Sequence, residues 1–228
     1  MTRALWPVAT AAFGVATMAT LFAFTRIPEI GAAYPDGDFT RALSAFQRAR
    51  TMEELAALFG SPPDAGKLRA MTAGNWLDLI VFIPVYTAFL GCAAAMLARS
   101  MRTRLAWLAI MPALIAARAD GVETWAQIQM TMDWSRAAEL LPIVAPASWT
   151  KYFALGAHAL GCAIICFKGA RKRWMLGAIG LVPVLGVIAE RFDLVGVFTV
   201  MTAVFGVFWI ALLVAALTDL LRAKGASA

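Results

Sequence analysis

The chain has 228 residues, of which 61% are hydrophobic and only 15% charged, and its formal net charge is +6. Soluble domains are about 45–50% apolar and about 25% charged, so this composition argues against a soluble enzyme, a disordered tail or a secreted domain. An integral membrane protein is the simplest interpretation. The three cysteines, Cys92, Cys162 and Cys166, lie in apolar runs without a CxxC spacing. The sequence therefore predicts neither a disulfide framework nor a metal site, and no cofactor is expected.

Six apolar stretches are long enough, or nearly so, to cross about 30 Å of hydrocarbon as helices. They are Ala4–Phe24, Trp76–Leu97, Leu105–Thr124, Trp149–Phe167, Trp174–Ala189 and Leu194–Leu217. The uncharged run of the first stretch is too long for a signal peptide, so we expect a retained helix. The predicted fold is an all-α polytopic membrane bundle of six transmembrane helices.

The Lys and Arg residues between these stretches predict the orientation of the bundle. With the amino terminus in the cytoplasm, every inner segment is basic. The inner segments together contain a single acid, Asp219. The inner bases are Arg3, Arg99, Arg102, Arg104, Lys168, Arg171, Lys172, Arg173, Arg222 and Lys224. We therefore expect a multi-pass protein of the bacterial inner (plasma) membrane with both termini cytoplasmic. The basic face would meet anionic membrane lipids, and no nucleic-acid partner is expected.

Residues 26–75 form a long outer segment between the first two stretches, which divides the chain into parts 1–25, 26–75 and 76–228. Asp38 can cap a short helix, and Thr51 with Glu54 fits a capping box for a second helix that ends at Gly60. Both helices are predicted to be amphipathic and to lie on the membrane or to cover the bundle. The segment is either a passive connector or a lid over a pocket.

Ionisable residues inside apolar stretches are functional candidates, because a charge at mid-bilayer costs about 2.5–3.5 kcal/mol. Here they cluster near one depth, toward the outer ends of the second to fourth stretches. We predict catalytic roles for one set of residues: Asp120, Glu123, Lys151 and Asp78. We predict substrate-binding roles for another: Tyr86, Arg118, His158 and Asn75.

Each of these residues also has a purely structural interpretation. Asp120, Glu123 and Lys151 could be an interhelical ion-pair set, and Arg118 could extend to the headgroups. His158 could be a hydrogen-bonded packing residue, and Tyr86 could bond to a carbonyl.

Four short motifs resemble those of a group of uncharacterised bacterial polytopic membrane proteins. They are ARTMEEL at 49–55, LDLIVFIPVY at 77–86, ADGVET at 119–124 and TKY at 150–152. The resemblance covers roughly residues 40–170 and implies that Asp78, Tyr86, Asp120, Glu123 and Lys151 act as one constellation. Thr124 stands where the group usually has Asn.

Three functions are compatible with this pattern. The first is an outer-leaflet polar pocket that binds, and in a further step transforms, a lipid or other hydrophobic small molecule. The second is a non-catalytic accessory subunit whose outer segment contacts a membrane protein partner. The third is a small proton-coupled transporter, although the ionisable residues lie to one side of the midplane.

Overall fold

The computed structural model describes residues 2–99, 105–169, 173–192 and 198–225, and within these ranges all regular structure is helical. The helices are α1 (Thr2–Phe24), α2 (Pro28–Ala33), α3 (Phe39–Arg48), α4 (Met52–Phe59), α5 (Ala65–Leu77), α6 (Ile83–Ala98), α7 (Trp107–Met132), α8 (Ala137–Lys168), α9 (Trp174–Arg191) and α10 (Phe198–Gly225). A π-helical turn, Asp78–Phe82, joins α5 to α6. The all-α prediction is confirmed for this part of the chain.

Five helical segments in the described ranges are long and apolar enough to cross a membrane. They are Leu5–Phe24, Ala65–Ala98, Trp134–Lys168, Trp174–Arg191 and Ala203–Ala223. Each overlaps one of the six predicted stretches. The remaining stretch corresponds to α7, which is 26 residues long but contains Arg118, Asp120 and Glu123 and does not qualify by composition. The predicted start of the last stretch, Leu194, lies outside the described residues.

Three helices begin or end well beyond the apolar runs that predicted them. Helix α5 begins after Asp64, whose side chain accepts a hydrogen bond from the Lys67 N–H at 2.8 Å. Helix α7 continues to Met132, and Asp133 then accepts from the Ser135 N–H at 3.1 Å. These ends follow from polar side chains that satisfy free backbone N–H groups, and not from hydropathy. The third of these helices is α8, which begins at Ala137 and has 32 residues. Its length is about 48 Å, well above the hydrocarbon thickness of about 30 Å.

The chain divides into two compact units. The first comprises Met1–Thr17, Val85–Ala116 and Tyr152–Ala228, and the second Met18–Pro84 and Ala117–Lys151.

The short outer helices belong to the second unit, where they share a core with the end of α7 and the start of α8. Phe46 of α3 and Phe59 of α4 are fully buried and meet edge to face, with ring centroids 5.1 Å apart. Phe59 also meets Trp134 at 5.4 Å. The other core residues are Ala42, Ala49, Leu55, Met71, Ala126, Met130, Ala137, Leu140, Leu141 and Val144. The apolar side chains of α3 and α4 are thus packed against the chain itself.

The predicted helix ends in this segment are largely confirmed. Thr51 and Glu54 form the capping box of α4, and Gly60 ends that helix with a φ of +96°. Asp38 precedes α3 as expected, but its side chain makes no capping hydrogen bond.

Burial and the nearby Asp64 carboxylate raise the pKa of Tyr34, between α2 and α3, to about 12, so this phenol stays protonated.

Close backbone contact brings α7 and α8 together within the first unit. A Cβ atom on Gly161 would lie 2.7 Å from the Leu108 carbonyl oxygen, whereas a Cβ on Gly206 in α10 would meet no atom within 4 Å. Only the first of these two glycines is therefore required by packing.

We expect Gly161→Ala to lower the free energy of unfolding by about 1–3 kcal/mol, because overpacking forces the two helices apart. Thermal unfolding in detergent, followed by tryptophan fluorescence, measures this. Gly206→Ala is the matched control and should be neutral or stabilising, since alanine favours a helix interior. Equal melting temperatures for the two variants would contradict the predicted helix contact.

Candidate functional site

A polar seam joins α5 to α7 in the second unit. The Thr72 hydroxyl donates to Thr131 Oγ1 at 2.7 Å. At Asp78, which directly follows the end of α5, Oδ2 accepts a hydrogen bond from the Thr124 hydroxyl at 2.9 Å. The pairs run in opposite directions along the two helices, so the helices are antiparallel here. Asn75 lies between Thr72 and Asp78 at three-residue spacing, which places it on the same helix face.

Lys151 of α8 is the cation of the site. Its Nζ lies 2.9 Å from Asp120 Oδ1 and 2.8 Å from Glu123 Oε2. All three side chains are buried, with at most 7% of any of them exposed. Asp120 and Glu123 are three residues apart on α7, so both carboxylates face the same side of the helix and reach one ammonium group.

Glu123 is fully enclosed and has further polar neighbours. Its Oε1 accepts from Gln127 Nε2 at 3.3 Å, and the Ser148 hydroxyl of α8 also hydrogen-bonds to it. Its Oε2 lies 2.8 Å from Lys151 Nζ, so the second oxygen is paired with the ammonium group.

Asp78 joins these residues across the seam. Its carboxyl group is within electrostatic reach of Asp120, Glu123 and Lys151. We call Asp78, Asp120, Glu123 and Lys151 the carboxylate–lysine cluster. One ammonium neutralises one carboxylate, so three carboxyl groups leave a surplus of acid that protons or a ligand must offset.

The π-helical turn sets the position of Asp78. The Ile83 N–H donates to the Asp78 carbonyl, five residues back, and Pro84 follows with no N–H to donate. The extra residue in this turn rotates Asp78 relative to a regular helix, and such turns are frequent at functional sites.

The four predicted binding residues differ in burial and in the unit to which they belong. Asn75 lies in the second unit, is buried, and its Nδ2 has no hydrogen-bond partner among the described residues. Arg118 is exposed. Tyr86 and His158 belong to the first unit.

Both of these residues are buried and contact an aromatic ring. Tyr86 is buried and stacks on Trp209, with ring centroids 5.5 Å apart. His158 Nδ1 lies 3.0 Å from the Ala109 carbonyl oxygen, which accepts, so Nδ1 carries the proton. His158 Nε2 faces Cys162 Sγ at 3.6 Å. In the described part of the chain, no three His, Cys, Asp or Glu side chains are arranged to hold a metal ion.

Four polar residues of the site were not assigned a role from the sequence. Thr72, Thr131, Thr124 and Ser148 supply the hydrogen bonds that surround the acids. Their spacing offers a signal: positions 72, 75 and 78 lie three apart, and positions 124, 127 and 131 continue the face of Asp120 and Glu123. The Thr124 hydroxyl donates a hydrogen bond to Asp78. The membrane proteins that this chain resembles usually have an Asn at this position.

No family model matches this chain, and the searches of curated proteins and of solved structures also gave no match.

We expect Lys151→Met to lower the free energy of unfolding by about 3–5 kcal/mol, because it leaves two buried carboxylates without their cation. The yield of monodisperse protein in mild detergent and the midpoint of unfolding in dodecyl sulfate measure this. Lys151→Arg keeps the charge and should retain most of the yield. If the methionine variant were as stable as the parent, the ion pairs would not contribute to the fold.

Proposed function

We propose that the chain is a six-span protein of the bacterial inner membrane, with both termini cytoplasmic. In this proposal, α7 is the third span, although three charges lie within it. If α7 did not cross, the basic ends of α6 and α8 would lie on opposite sides of the membrane, against the positive-inside rule. The two acids of α7 are buried and paired with Lys151, which lowers the cost of their insertion, and Arg118 can extend toward the interface.

We further propose that the carboxylate–lysine cluster binds a lipid or other hydrophobic small molecule from the outer leaflet. The observation that carries this proposal is the surplus of acid around a single ammonium group: Asp120 and Glu123 are buried, and the half-buried Asp78 adds a third carboxyl group. A set built only to hold helices together would need no more carboxylates than cations, because each additional buried carboxyl group costs free energy.

The depth of the cluster supports an apolar ligand. Asp78 lies 20 residues before Ala98, the last residue of α6, or about 30 Å along the helix. Lys151 lies 17 residues before the end of α8, or about 25 Å. With the inner helix ends at the cytoplasmic interface, both residues reach the outer edge of a hydrocarbon layer about 30 Å thick.

The polar groups at this depth define what the ligand would offer. Carboxyl oxygens of Asp78 and Glu123 accept hydrogen bonds, and the unpartnered Asn75 amide donates one. An apolar molecule with a hydroxyl or amino headgroup fits that pattern. Buried acids beside an ammonium group could also exchange a proton with the bound molecule, which extends the proposal from binding to acid–base catalysis.

Contacts between the outer segment and α5 support the proposal that this segment covers the site. A Cβ on Gly74, next to Asn75, would lie 2.9 Å from the Phe39 ring and 3.5 Å from Ile30, so α2 and α3 pack directly on α5. In the accessory-subunit alternative, α3 and α4 would offer apolar faces to another protein. Those side chains are buried in the core of the second unit, which favours the ligand-binding function.

We expect Asp78→Asn to remove ligand binding without loss of the fold, because Lys151 keeps Asp120 and Glu123 as partners. The protein would be released from native membranes, and retained small molecules would be detected as mass adducts by native mass spectrometry. The parent should carry an adduct that Asp78→Asn reduces by about tenfold.

Glu139→Gln is the matched control, since it removes an acid that is 71% exposed on α8 and should keep the adduct. A parent protein without any adduct, or an Asp78→Asn variant that retains it fully, would refute the binding proposal. An Asp78→Asn variant that loses the adduct and also melts at a lower temperature than the parent would instead support a structural role for Asp78.

A further inference from the structure

A second charged cluster lies in the first unit, where one buried acid meets two arginines. Asp219 of α10 is 5% exposed. Its Oδ2 lies 2.8 Å from Arg99 Nη2 and 2.6 Å from Arg173 Nη2. Arg99 follows the end of α6, and Arg173 is the N-cap residue of α9, so three helix ends are joined through a single carboxylate oxygen.

The charge of this cluster is not balanced. Among the residues that the structure describes, two guanidinium groups face one carboxylate, which gives a net charge of +1, and each guanidinium has five N–H donors. The Arg99 side chain is 31% exposed and that of Arg173 is 16% exposed, whereas the Asp219 side chain is 2% exposed. The carboxylate that pairs with both guanidinium groups is thus buried, whereas part of each arginine side chain remains accessible.

The start of α9 adds further donors at the same point. Arg173 provides no side-chain cap, and the first turn of α9 contains no acidic residue, so its free N–H groups and the positive end of the helix dipole are not compensated from within the helix. The Arg173 N–H donates to the Cys166 carbonyl oxygen at 3.1 Å, and the ring of Trp174 contacts that of Phe167. These contacts fix Arg173 in place.

The apolar surroundings indicate where the anion would come from. Trp174 and Met175, which directly follow Arg173, are 60% and 79% exposed, and Leu221 on α10 is 71% exposed. Exposed apolar side chains next to guanidinium groups at the ends of apolar helices suit acyl chains below a phosphate headgroup, and basic sites of this kind bind anionic lipids.

We propose that Arg99, Arg173 and the first turn of α9 form a binding site for the phosphate group of an anionic phospholipid. Asp219 is the positioning residue of this site. It orients both guanidinium groups so that their outer N–H donors converge on one phosphate. Arginine suits this role because its planar fork binds phosphate oxygens in pairs.

The test uses the full chain in nanodiscs of mixed phosphatidylglycerol and phosphatidylcholine, with retained lipids counted by native mass spectrometry after release. We expect selective retention of phosphatidylglycerol. Arg173→Lys and Arg99→Lys keep the charge but lose the fork, and each should reduce retention by about tenfold. The melting temperature of each variant, taken without phosphatidylglycerol, shows whether the fold is kept.

Lys168→Gln is the matched control, because it removes an exposed positive charge at the end of α8 and should leave selective retention unchanged. If Lys168→Gln reduced retention as much as Arg173→Lys, attraction would be non-specific and the proposed site would be refuted. Equal retention of the two lipids by the parent would also overturn it. Displacement of phosphatidylglycerol by millimolar glycerol phosphate would assign the site to a soluble phosphate compound instead of a lipid.

Discussion

The contact of one ammonium group with two carboxylates is the interaction on which the second unit depends. Lys151 can reach both Asp120 and Glu123 only if α7 and α8 keep one antiparallel register, since a shift of one residue would rotate a carboxylate away. Burial makes this requirement strict, because an unpaired charge in an apolar bundle is far more costly than a well-paired one. The ion pairs therefore specify the alignment of the helices more than they add to stability, and this alignment places Ser148 beside Glu123.

The seam between α5 and α7 extends that alignment to a third helix by weaker means. Neutral hydroxyl groups form it, with Thr72 bonded to Thr131 at one end and Thr124 bonded to Asp78 at the other. Such bonds can be satisfied in pairs without a charge, so they hold α5 in register at low cost. The π-helical turn begins at Asp78, and the carboxyl group of that residue is within electrostatic reach of two further acids. Repulsion among these carboxyl groups opposes the arrangement.

Much of this architecture could be predicted from the sequence, because the strongest constraints are local. Hydropathy locates the apolar helices, the pair Thr51 and Glu54 predicts the start of α4, and the rarity of charge in apolar runs identifies the cluster. Helix ends were predicted less well, since Asp64 and Asp133 extend α5 and α7 through side-chain bonds that hydropathy ignores. The stacking of Tyr86 on Trp209 could not be predicted, because helix rotation decides which side chain of another helix an aromatic ring meets.

The two charged clusters have an excess of opposite charges, and the sign of the excess determines what each cluster would bind. Around Lys151 the carboxyl groups are in excess, so the compensating species must be a cation or a donor of a proton or a hydrogen bond. Around Asp219 the guanidinium groups are in excess, so the compensating species must be an anion. Among the described residues, each cluster contains a single group of the minority sign, which is shared between its neighbours. Sharing one counter-charge positions several groups at once and leaves part of their charge for a molecule from outside the chain.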